Sequence, residues 1–258
     1  MKLIKYVPNA LKTPDNCLAA VQQEGWALEY VPEALKTPEL CLAAVQHFGR
    51  ALVFVPQALR TPELCLVAVQ NDDRVLRYVP DESQTLELCL VAVQRDGDAL
   101  RYVLEEFRTP EICLIAVQNN CWMLEYVPEA LKTPELCLVA VLEHGGTLEY
   151  VPKAHKTLEL CRVAVTNQGL ALMFVPGELK TPALCHAAVH NDGRALQYVP
   201  KTLKTLALCR VAVTNNGWAL QYVPEEYKKD FEAEGIQTFD DGARIVTNRA
   251  AFFRRNTP

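Results

Sequence analysis

Nine cysteines, Cys17, Cys41, Cys65, Cys89, Cys113, Cys137, Cys161, Cys185 and Cys209, stand 24 residues apart, and a fixed period of that length marks a tandem array. The aromatic series Tyr6, Tyr30, Phe54, Tyr78, Tyr102, Tyr126, Tyr150, Phe174, Tyr198 and Tyr222 keeps the same spacing, as do the leucines from Leu28 to Leu220. A unit this short cannot bury its apolar face alone, so the repeats must stack on one another.

One repeat, Thr37 to Arg60, reads TPELCLAAVQHFGRALVFVPQALR. Thr37 is a helix N-cap, because its hydroxyl can accept an orphan backbone N–H, and Pro38 suits the first helical position, where a missing donor is harmless. Glu39 places negative charge at the positive end of the helix dipole. Leu40, Cys41, Ala44 and Val45 share one helical face, and Gly49 offers the left-handed conformation that ends a helix. The helix is then about eleven residues, or about 16 Å, long. Pro56 interrupts the second half, predicting a short helix over Ala51 to Phe54 and a further turn over Pro56 to Leu59. Leu52, Phe54, Val55 and Leu59 are expected to form a continuous core between the layers. Strand-like alternation is absent. The predicted fold is an all-α solenoid of about nine repeats over residues 1–228, closed by a non-repeat C-terminal cap over 229–258. Within that cap, a turn at Asp240-Asp241-Gly242 precedes a helix-like stretch from Ala243 to Arg255, whose Phe252 and Phe253 would cover the last repeat.

Stacked helices lie about 8–10 Å apart, too far for equivalent cysteines to pair, and no CxxC occurs. The ladder thiols read as small core residues in a reducing compartment, with Cys121, which stands where other repeats have glycine, as the exposed exception. His186 and His190 lie four apart on one helix, but HExxH and a partner carboxylate are both missing, so they read as surface residues and no metal is expected. Nearly every notable residue recurs with the repeat, whereas an active site needs residues that occur once. There is no Walker A string, GxSxG elbow or dinucleotide-binding glycine cluster. Neither catalysis nor a cofactor is expected. No leader stands at Met1 and no apolar run approaches 18 residues, which predicts a cytoplasmic protein with no membrane contact, the alternative being export by a route that leaves no such signal.

The string GxALxYVPEALKTPELCLAAVQ resembles an uncharacterised domain-of-unknown-function family of bacterial and viral helical repeats, and is similar also to the leucine-rich repeat variant, which alternates an α-helix with a tighter one. Both resemblances imply a helical solenoid from Tyr6 to about Tyr227; neither supplies catalytic residues, and the second's iron–sulfur segment has no counterpart here. The order TPE, apolar helix, variable pair, glycine and A-L also resembles transcription-activator-like effector repeats, which would make base readers of pairs such as His47-Phe48, Asn71-Asp72 and Asn191-Asp192. A protein tracking a duplex must neutralise phosphates, however, and this chain has a formal charge of -5. Its repeated basic row, Lys12, Lys36, Arg60, Arg108, Lys132, Lys156, Lys180, Lys204 and Lys228, interrupted by Gln84, reads as solvated ion-pair ladders.

Function should sit where equivalent positions diverge. The residue after each cysteine is leucine through Leu18, Leu42, Leu66, Leu90, Leu114 and Leu138, then Arg162, His186 and Arg210. Four residues on, Gln22, Gln46, Gln70, Gln94 and Gln118 give way to Leu142, Thr166, His190 and Thr214. Such a gradient suits an extended partner-binding surface, and it equally suits leucines buried between helices with arginine stems packed beside them. Trp26, Trp122 and Trp218, just past the helix end, are candidate contact anchors. A non-catalytic protein-binding scaffold is therefore expected, with nucleic-acid binding through the variable tips as the alternative. Leu3, Ile4, Tyr6 and Val7 open the array with an apolar half-repeat, which predicts association through that end.

Overall fold

The computed structural model describes residues 4–233 and divides into two compact units, Met1–Leu131 and Lys132–Pro258. Each unit is an all-α repeat solenoid, with no strand among its described residues. The first contains α1 (Pro14–Gln23), α2 (Pro38–His47), α3 (Pro62–Asn71), α4 (Leu86–Arg95) and α5 (Pro110–Asn119). The second contains α6 (Pro134–Glu143), α7 (Leu158–Asn167), α8 (Pro182–Asn191), α9 (Leu206–Asn215) and α10 (Glu225–Ala233).

The local chemistry of one repeat accounts for its shape. Thr37 Oγ1 accepts the Leu40 N–H at 3.3 Å, Pro38 opens α2, and the last helical bond runs from Phe48 N to Ala44 O. The carboxylate of Glu39 accepts its own backbone N–H and the Thr37 hydroxyl, which holds it below the usual glutamate range. Two 3₁₀ helices follow, Gly49–Phe54 and Gln57–Leu59, separated by extended Val55 and by Pro56, which has no N–H to continue the first. The predicted short helices thus exist, wound more tightly than α. Within each unit successive α-helices pack on one another and successive six-residue 3₁₀ helices do likewise, giving two layers. Leu40, Cys41, Ala44, Val45, Leu52 and Val55 are buried between them, each large apolar side chain contributing about 1.5–3 kcal/mol. Phe54 and Leu59 are only half-buried, so the core is thinner than expected.

The glycine works differently from the sequence-based expectation. Gly25, Gly49, Gly97, Gly145, Gly169 and Gly193 all avoid left-handed backbone; each begins a 3₁₀ helix, and the extended residue before it ends the α-helix. What selects glycine is close approach. A Cβ at Gly49 would lie 2.4 Å from Ala68 O, and one at Gly169 would lie 2.4 Å from Ala188 O, in each case on the next helix of the stack. Cys121 occupies this register and is buried, correcting the expectation that it is exposed, because the position faces the packed interior rather than a helix end in solvent.

The basic row also departs from the ion-pair reading. Lys36 Nζ pairs with Glu33 at 2.9 Å, but it also donates to Phe54 O at 2.8 Å, and this second bond is the one that recurs. Lys12, Arg60, Arg108, Lys156, Lys180 and Lys204 reach the carbonyls of Tyr30, Tyr78, Tyr126, Phe174, Tyr198 and Tyr222. Each cation thereby caps the final turn of the next repeat's 3₁₀ helix, an end that favours positive charge. Gln84 makes the same bond to Tyr102 O at 3.0 Å, so the donor matters at this register more than the charge. Partial burial lowers the proton affinity of Lys156, Lys180 and Lys204.

At the N-terminal end Ile4 is buried against α1 and the 3₁₀ helix Gly25–Tyr30, rather than left open, and Leu3 lies outside the described residues. Leu11, 64% exposed, is the apolar side chain most open there among the described residues. At the other end α10 buries Phe231. The proposed covering residues Phe252 and Phe253, with Asp240 and Asp241, lie outside the described residues.

Candidate partner-binding surfaces

The residue after each cysteine stands on the outer face of the α layer, neither sealed between helices nor fully free. In the first unit Leu18, Leu42 and Leu114 are exposed, while Leu66 and Leu90 are half-buried beside the exposed Gln70 and Gln94. In the second unit Leu138 and Leu142, one turn apart on α6, are 41% and 58% exposed. Arg162, His186 and His190 are exposed and Arg210 is half-buried at the following registers of the same layer.

Arg162 forms a bidentate pair with Glu159, the shorter bond 2.6 Å, which keeps the arginine proton tighter and the carboxylate proton looser than usual. The rings of His186 and His190 stack at 6.3 Å and 23°. Among the described residues no three His, Cys, Asp or Glu side chains gather as metal donors. The tryptophans belong elsewhere, to the 3₁₀ layer. Trp26 is half-buried with its ring edge on Tyr30 at 5.8 Å, whereas Trp122 and Trp218 are 39% and 45% exposed. The candidate residues therefore occupy two surfaces, not one.

The variable pairs are engaged by the fold. Asn71, Asn119 and Asn167 donate to Val45, Val93 and Val141 carbonyls of the preceding helix. Asn191 and Asn215 donate to Thr166 O and His190 O while accepting from the N–H of Gly169 and Gly193. Second members of the pairs, among them Asp72, Asn120, Asp192 and Asn216, accept the N–H two residues on and cap the 3₁₀ helix. Side chains committed in this way are not free to read bases.

The ladder thiols are fully buried. Burial pushes Cys41, Cys65, Cys113 and Cys209 up to about 11 and Cys89 to about 12. Thiols held so far above neutrality carry little nucleophilic character.

Period-based reading missed a hollow of about 210 Å³ on the 3₁₀ layer of the first unit, lined by Arg74, Arg77, Arg101, Asp96, Asp98 and Tyr102. Its signal lay in one register, where Glu29 and Val53 are followed by Arg77 and Arg101 and then by Glu125.

The fold thus defines a helical repeat protein whose exposed surfaces vary while its interior recurs. A family model described as a domain of unknown function (DUF4116) matches the chain in two tandem copies, residues 37–84 and 85–132, each beginning at a helix-capping threonine and spanning two 24-residue repeats. No curated protein and no solved structure matches the chain. Among the described residues no helix is long and apolar enough to cross a membrane.

Proposed function

We propose that the protein is a non-catalytic, cytoplasmic scaffold that binds a protein partner along the outer face of its α layer. The remaining repeats are read as further members of the bacterial and viral repeat family that they resemble. The observation that carries the function is the exposed pair Leu138 and Leu142, followed at the same registers of the second unit by Arg162, His186, His190 and Arg210. Packing dictates the neighbouring registers, since cysteine, alanine and valine there are buried in every repeat of that unit. It leaves this row open to selection by a partner. The ten free thiols are consistent with a reducing compartment. Nucleic-acid binding has weaker support, with a formal charge of -5 and the tip side chains committed to the fold.

Affinity capture from native lysate, comparing the wild type with a triple variant at exposed positions (Arg162→Gln, His186→Gln, His190→Gln), tests the reading. Loss of a captured protein with a melting temperature nearly unchanged is expected, because exposed substitutions cost within about 0.5 kcal/mol. Identical capture by both proteins, or capture abolished by nuclease, would remove the α face from consideration.

A further inference from the structure

The hollow on the first unit's 3₁₀ layer has a chemistry that the repeat does not require. The register of Arg77 and Arg101 is otherwise filled by Lys5 in the opening half-repeat and by Glu29, Val53, Glu125, Glu149, Met173, Gln197 and Gln221, so stacking of the repeats accepts acidic, apolar and amide side chains there. Two consecutive repeats nevertheless carry arginine, and Arg74 adds a third guanidinium one turn before Arg77. Arg77 and Arg101 are held in place. Arg77 lies 5.1 Å from the Tyr102 ring centroid and 6.0 Å from that of Tyr78, and Arg101 lies 5.3 Å from that of Tyr126. An aromatic ring beneath a planar guanidinium fixes its orientation and leaves its N–H edges outward.

The acidic lining cancels this charge only in part. Asp98 pairs with Arg101 at 3.6 Å and accepts from Asn120 Nδ2, while Asp96 accepts the Asp98 N–H at 3.0 Å. Among the described residues the side chains of Arg74 and Arg77 donate no hydrogen bond and enter no ion pair. Arg77 is thus both held against aromatic rings and free of an ion pair, and the three guanidinium groups against the Asp96 and Asp98 carboxylates leave the hollow with one net positive charge.

We propose that this hollow is a carboxylate-binding pocket that receives an aspartate or glutamate side chain from an acidic segment of a protein partner. The proposal rests on the protein-binding reading but places contact on the 3₁₀ layer instead of the α face. Guanidinium forks match a carboxylate in bidentate geometry. At about 210 Å³ the hollow is smaller than the roughly 300–1,000 Å³ of metabolite sites, and it suits one side chain of a larger ligand. A nucleic-acid backbone is disfavoured because the basic stretch ends within two repeats, Glu125 follows, and the chain is acidic overall. Tyr78, 38% exposed, offers an apolar rim beside Arg77 for the peptide stem.

Fluorescence anisotropy with fluorescein-labelled hexaglutamate, using hexaglutamine as the uncharged probe, tests the pocket on the full chain. Hexaglutamate should bind in preference to hexaglutamine, and added salt should weaken it as the Debye length contracts. The double variant Arg74→Gln, Arg77→Gln should bind about tenfold more weakly. Arg77→Lys, which keeps the charge and gives up the planar fork, should lose binding too, while Arg194→Gln, at the register of Arg74 in the second unit, should not. Equal binding of the two peptides, an unchanged double variant, or tighter binding of inorganic phosphate or an oligothymidylate at the same arginines would overturn the proposal. Because the α-face variants leave these arginines intact, a failed capture experiment and a failed peptide titration are distinguishable.

Discussion

Replacing Gly169 by alanine opposes two effects of known sign. Gly169 opens the 3₁₀ helix Gly169–Phe174 with ordinary backbone, so alanine would gain about 0.5–1 kcal/mol of propensity if space allowed. Space does not allow it. The new Cβ would lie 2.4 Å from Ala188 O and 2.8 Å from Asp192 N, and both are backbone atoms at the end of α8. Ordinary contact begins at 3.4 Å, so α8 must retreat by about 1 Å. That retreat loosens Leu184, Cys185, Ala188 and Val189 in the core and stretches the 2.7 Å bond from Gly169 N to Asn191 Oδ1. Overpacking costs about 1–3 kcal/mol and the weakened bond about 1 kcal/mol, against the propensity gain, which gives a net loss of about 1–3 kcal/mol. Gly177 is the matched control, since it is exposed in a 3₁₀ helix with nothing within 4 Å of its would-be Cβ. Gly177→Ala should be neutral or stabilising by up to about 1 kcal/mol. Urea unfolding followed by circular dichroism should show a lower midpoint for Gly169→Ala alone. If it melts with or above Gly177→Ala, close approach does not select the glycine.

Three further outcomes follow from the same contacts. In Ellman's assay at mildly alkaline pH without denaturant all ten thiols should react slowly, Cys121 included; one fast equivalent would place Cys121 at the surface. Stability should fall as pH rises above about 8.5, because thiols in the unfolded chain ionise there while the buried ones, raised to about 11 or 12, stay protonated. The lowered Lys156, Lys180 and Lys204 act in the opposite sense over the same range but are fewer, so a urea midpoint that rises between neutral and strongly alkaline pH would contradict the thiol argument. Lys180→Met should cost about 1 kcal/mol by leaving Tyr198 O without its 3.0 Å donor, and Lys180→Gln should cost less, as Gln84 implies. Equal midpoints for wild type and Lys180→Met would show that solvent replaces this bond without loss.

Periodicity made the fold legible because it reports packing, and packing repeats. Thr37, Pro38 and the face formed by Leu40, Cys41, Ala44 and Val45 follow from capping and helical spacing alone. The glycine was misassigned for a reason the sequence conceals. A helix-ending glycine and one required by close approach occupy the same place in a repeat, and the distance to Ala68 O on the next helix separates them. The same gap hid the role of the basic row. Lys36 lies three residues from Glu33 and Glu39 in sequence, which invites an ion-pair reading, whereas its recurring partner, Phe54 O, is a backbone atom 18 residues away that composition cannot reveal.

The exposed rows were legible in part, and what they share is informative. A register whose residues are buried or hydrogen-bonded tolerates little change, which is why cysteine recurs at nine positions and the first member of the variable pairs is so often asparagine. A register that changes character is one that the stack does not use. By that criterion the Leu138-to-Arg210 row could be found by comparing equivalent positions along the sequence. The Arg77 and Arg101 pair could be found in the same way, although the rings of Tyr102 and Tyr126 that hold the guanidinium groups could not. Those rings belong to the aromatic series that marks the period itself. In these two repeats the series therefore supplies an aromatic bed, and arginine placed on it turns a register that stacking leaves open into the charged surface from which the carboxylate pocket is inferred.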